Sequence, residues 1–95
     1  PFMDNDDIVE LDCTVSSKGA VPIPIKNFKN DHIIDLMRTV KSFERHAVKA
    51  GVTGDYRDVV KALLIHPLMG DFDSAKKCFD VLLEVHKNFL PQFGR

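Results

Sequence analysis

Two apolar periodicities divide this chain. From Ile8 to Ile25, in "IVELDCTVSSKGAVPIPI", residues alternate: Ile8, Glu10 and Asp12 fall on one side, Val9, Leu11 and Cys13 on the other. β-Branched residues recur through Val15, Ser16-Ser17-Lys18-Gly19 is a turn signal, and Val21 to Ile25 resumes an extended stretch. The pattern predicts a β-hairpin over 8–25. Pro22 and Pro24 lack an N–H, so the second arm is excluded from the centre of a sheet. A lone two-stranded hairpin is marginal in water and needs helices or another sheet beneath it.

From Asn30 the period changes to that of a helix. Ile33, Leu36, Val40, Phe43, Ala47 and Ala50 draw one apolar stripe, with Asn30 or Asp31 as N-cap and Gly51 as the natural residue beyond the end. A second helix follows over 55–66, entered through Thr53-Gly54-Asp55 and carried by Tyr56, Val59, Val60, Leu63 and Leu64. Pro67 stops it, with His66 beside the last-turn carbonyls. Gly70-Asp71-Phe72-Asp73 opens a third over 73–89, whose stripe is Ala75, Cys78, Leu82, Val85 and Phe89 before Pro91. The fold expected is α+β: a hairpin, then three amphipathic helices, in one subdomain spanning 1–95.

Composition narrows the function classes. Ninety-five residues make one small domain at most, and a hydrophobic fraction of 44% is too high for disorder. Thirteen basic and fourteen acidic side chains give a net charge of −1, so no electrostatic case for nucleic acid or an anionic membrane arises. No apolar run approaches the ~20 residues that cross a bilayer, and no signal peptide is visible. A reduced, cytoplasmic chain is expected. The opening Pro1-Phe2-Met3 followed by acidic residues reads as the start of a piece of a longer protein, with a true start at Met3 as the alternative.

Candidate chemistry is sparse. Gly19, Gly51, Gly54, Gly70 and Gly94 build no phosphate cradle. His32, His46, His66 and His86 show no metal-ligand spacing, and His86 reads as a flank residue of its helix. Cys13 lies in a strand-like run and Cys78 on an apolar helix stripe, where a buried, inert thiol is the expected state. Asp6 and Asp7 read as a solvated terminus, Asp71 and Asp73 as a helix cap, Lys76 and Lys77 as a solvated face, and Tyr56 as core or flank. Each Gly-Asp pair stands at a helix entrance, where an aspartate accepts orphan N–H bonds.

Taken in order, "IVELDC", "VPIPI", "VTGDY", "ALLIHPLMGD" and "LLEVHKNFLPQF" resemble the C-terminal segment of glycoside hydrolase family 4, nearest to its 6-phospho-β-glucosidase branch, over about Ile8 to Phe93. The chain departs from the family pattern at Asp12, often proline, at Gly51, often alanine, and around His46. The resemblance implies a parent enzyme that hydrolyses phosphorylated disaccharides with NAD and a divalent metal, usually manganese. Its chemistry would run by oxidation, elimination and return of the hydride, unlike two-carboxylate glycosidases. The family's dinucleotide loop, metal ligands and tyrosine base lie upstream of this segment. No catalytic, cofactor-binding or metal residue is therefore carried onto this chain, and Tyr56 belongs to a helix start.

The expected role is structural. The segment would complete the core of an N-terminal catalytic part and a subunit interface in a homo-oligomer, and alone it would be inactive and prone to associate. Two other classes compete. One is a stand-alone helical interaction module that receives a partner helix on the Ile33 to Ala50 stripe. The other is a small metal- or ligand-binding protein using His32, His46 or His86.

Overall fold

A computed structural model describes residues 3–94. Pro1 and Phe2 of the opening tripeptide lie outside the described residues. Strands β1 (Cys13–Ser16) and β2 (Gly19–Pro22) form an antiparallel hairpin, followed by helices α1 (Asp31–Thr53), α2 (Tyr56–Ile65) and α3 (Phe72–His86). Two 3₁₀ turns, Lys87–Phe89 and Pro91–Phe93, close the described chain. The α+β order expected from the periodicity is the one observed.

Local chemistry explains the helix starts. Asn30, Asp55 and Asp71 each hold an extended backbone and accept a hydrogen bond from the first turn, at the N–H of Ile33, Arg57 and Ser74 respectively. The two Gly-Asp pairs are thus helix entrances. The end of α1 differs from expectation. Gly51 stays helical and the helix runs on to Thr53, where Gly54 takes the left-handed conformation at φ 70° and its N–H bonds to the Ala50 carbonyl. Likewise α3 ends at His86 rather than near Phe89, and the chain tightens into 3₁₀ geometry before Pro91.

The core is narrow. Ala50 of α1, Val60 and Ala62 of α2, and Ala75 and Phe79 of α3 are its buried apolar residues, and the three alanines let the helix backbones approach. The stripe assigned to α3 needs correcting. Ala75 is buried as expected, yet Phe79 shares its inner face, while Leu82, Val85 and Phe89 are exposed. Cys78 lies on that outer face too, and both thiols are free and exposed rather than buried. The cause is that α3 carries two apolar faces and meets a partner helix within this chain on one.

The hairpin shares this openness, since all eight strand residues are exposed. The Cα radius of gyration is 17.2 Å, against about 12 Å for a compact domain of this length. Accessible surface is 7790 Å², against about 5500 Å² for a compact monomer of this mass. The chain exposes more surface than a compact monomer of its mass.

Candidate functional site

Polar contacts concentrate at two places, and both hold elements together. The first joins the N-terminal segment to α1. Arg45 grips both carboxylate oxygens of Asp7 and reaches Asp4 at 3.0 Å, while Lys41 donates to the Ile8 carbonyl. The Arg45 guanidinium holds the Asp7 carboxyl below its usual range. Asp7 is therefore no solvated terminus: its side chain is 7% exposed. Farther along, Asp58 is a buried carboxylate of α2, and Lys49 of α1 bonds it at 2.8 Å.

The second place is a cleft of about 960 Å³ where the start of α2, the middle of α3 and the C-terminal turn meet. Tyr56 Oη donates to Asp80 Oδ1 at 2.7 Å, and Lys76 Nζ donates to Asp80 Oδ2 at 2.7 Å. The carboxylate beside it raises the Tyr56 phenol's pKa, so it stays a protonated donor. Hydrogen bonds from Lys76 and Tyr56 lower that of Asp80. At the cleft's edge, Arg57 holds Asp55 down to about 2, through its guanidinium first and its backbone N–H second. These groups satisfy one another, and a ligand would have to displace ion pairs already made. Tyr56 and Phe93 pack on Phe79 with ring centroids 5.2 and 5.3 Å away. The cleft is a clasp, with the arrangement of a packing joint.

The remaining candidates stay apart. His32 and His86 are exposed on different helices. His46 Nδ1 donates to the Ser42 carbonyl at 2.8 Å within its own helix. His66 accepts from the Leu68 N–H through Nδ1 and meets Phe43 edge-on at 4.7 Å. Among the described residues no three His, Cys, Asp or Glu side chains gather as a metal site. Among the described residues, then, no donor set that fits a divalent metal comes together. Every buried side-chain nitrogen and oxygen among the described residues has a partner. No helix of the described residues is long and apolar enough to cross a membrane.

Sequence reasoning missed Asp58, Arg45 and Asp80. The i,i+4 spacing of Lys76 and Asp80 was a readable pair; the bonds of Tyr56 to Asp80 and of Arg45 to Asp7 come from the fold alone.

An acid-stability profile follows. Asp7, Asp55, Asp58, Asp71 and Asp80 all have lowered pKa values in the folded chain. A lowered carboxylate stabilises fully above its unfolded pKa of about 3.9 and loses that contribution as pH falls through the folded value. The urea midpoint should hold steady above about pH 5 and decline between about pH 4 and pH 2. Asp55→Asn keeps a capping oxygen that does not titrate, so its decline should be shallower.

Comparison with known proteins adds the wider frame. The model of the family 4 glycosyl hydrolase C-terminal domain matches residues 1–69. A probable 6-phospho-beta-glucosidase of Bacillus subtilis (strain 168) is 39% identical over 89 residues, covering 94% of this chain and 20% of that protein. The 6-phospho-beta-glucosidase of Escherichia coli (strain K12) is 32% identical, covering 90% and 19%. A third, BglT of Thermotoga maritima, is 31% identical, covering 90% and 20%. The chain spans about a fifth of the length of these curated relatives.

Proposed function

The chain belongs to the family of family 4 glycosyl hydrolase C-terminal domains, and from that membership we propose that it is the C-terminal structural segment of a 6-phospho-β-glucosidase. The parent hydrolyses phosphorylated β-glucosides in the cytoplasm by redox elimination. NAD and a divalent metal are bound by the preceding part of that enzyme, which also supplies every catalytic group. The 95-residue chain acts as one subdomain: it completes the parent's core, contributes to a homo-oligomer interface and has no turnover of its own.

The observation that carries this reading is the chain's excess surface. Val81 and Val85 on α3 and Phe89 in the following 3₁₀ turn are 55%, 67% and 81% exposed, beside the exposed Leu82. A contiguous apolar face of this kind marks a surface built to be covered. The polar groups of the clasp and of the Arg45–Asp7 contact support the same role, because they join elements.

The test is hydrolysis of a chromogenic 6-phospho-β-glucoside with NAD and Mn²⁺, by this chain and by the product of its full reading frame. Activity is expected only from the longer protein and is lost when NAD or metal is withheld. Turnover by the short chain would overturn the assignment of catalysis to the preceding part.

A further inference from the structure

We infer that the outer edge of β1, and not that of β2, receives a further β-strand, contributed by the part of the parent enzyme that precedes this chain. This rests on the reading of the chain as a C-terminal segment. The register decides which edge is open. Ile23 N–H donates to the Asp12 carbonyl at 2.8 Å, so Asp12 and Ile23 are a hydrogen-bonded pair. Antiparallel pairs alternate, so Cys13↔Pro22 and Val15↔Ala20 are the non-bonded pairs, with their backbone groups turned away from the hairpin.

On the β2 side that outward position is filled by Pro22, which has no N–H to give, and Pro24 follows two residues on. Proline there blunts an edge. On the β1 side Cys13 and Val15 present N–H and C=O groups outward, with no backbone partner among the described residues. One edge of the hairpin is closed to pairing and the other is open.

Side chains agree that the hairpin is an incomplete sheet. Val15 is 77% exposed on one face and Val21 is 56% exposed on the other. Two strands alone are marginal, and a third strand with covered faces makes the sheet stable.

The occupant follows from the missing length. The relatives are about five times as long as this chain, and the matching family model is that of a C-terminal domain. A strand tethered in the same polypeptide competes at an effective concentration in the millimolar range, about 1 mM or more. A second copy must instead pair by collision, through an edge only four residues long.

Residue-resolved amide hydrogen exchange on the full reading frame tests this, with 6-phospho-β-glucoside hydrolysis measured on the same sample. The N–H groups of Cys13 and Val15 should exchange at least about 100-fold more slowly than that of Ala20 on the opposite edge, independent of protein concentration. Equal, fast exchange at all three in an active enzyme would overturn the edge assignment and leave the functional reading standing. Protection of Cys13 and Val15 that vanishes on dilution would give the edge to a second copy and overturn the occupant. Protection in a protein that hydrolyses nothing would keep the edge and remove the function. A reading frame no longer than this chain would overturn both.

Discussion

Replacing Phe79 by alanine is expected to destabilise the chain by about 3–5 kcal/mol, the range for deleting a buried aromatic ring. Phe79 is 5% exposed and is the one large side chain among the five buried apolar residues. Its ring touches Tyr56 from α2 and Phe93 from the C-terminal turn, so its loss separates three elements at once. The other four members of the core are alanine or valine, too small to collapse into the space left behind. Urea denaturation followed by far-UV circular dichroism would read the loss. Leu82→Ala is the matched control on the same helix. Leu82 is 41% exposed, so its truncation should change the short chain by no more than about 0.5 kcal/mol. If, as proposed, the outer face of α3 is covered in the full reading frame, the same substitution should cost more there. Equal, small effects of Leu82→Ala in both proteins would count against a covered face.

Phe79 also shows where periodicity stops informing. Apolar residues of α3 and the turn after it fit two stripes, one through Ala75 and Phe79 and one through Cys78, Leu82, Val85 and Phe89. Spacing reports that a face is apolar, and it is silent on which partner covers it. A helix made for burial in a larger protein has more apolar faces than its own fragment can satisfy. Helix starts were legible because caps are local: an aspartate or asparagine bonds an N–H two or three residues away, whatever lies elsewhere. The clasp was not, because the bond from Tyr56 to Asp80 and the grip of Arg45 on Asp7 join distant parts of the chain. Family membership was readable from the order of segments along nearly the whole chain, rather than from any one catalytic motif.

The end of α1 yields the other large effect, at Gly54. Two glycines could have ended that helix, and the structure uses the later one for a reason outside the helix. Gly54 takes φ 70°, which costs a residue with a Cβ about 1 kcal/mol or more. A Cβ there would also overlap the backbone carbonyl oxygen of Gln92 and lie 2.7 Å from its carbonyl carbon. Gly54→Ala should therefore cost about 2–5 kcal/mol, combining left-handed strain with overpacking. The two contributions can be separated. Asn tolerates the left-handed conformation better than Ala but still carries a Cβ, so Gly54→Asn should relieve part of the strain and keep the clash. In a chain ending at Leu90 the Gln92 carbonyl is gone, and Gly54→Asn should then cost no more than about 1 kcal/mol. Because the clash is with backbone, the C-terminal turn must move as a unit to relieve it. Phe93 would then leave the ring of Phe79, and the 95-residue Gly54→Ala chain should become sensitive to protease between α3 and its end. Unchanged protease resistance and an unchanged urea midpoint would show that the turn does not close on Gly54 in solution. The same glycine that ends α1 thus leaves room for the turn that seals the clasp, which ties the helix boundary to the packing of the chain's last residues.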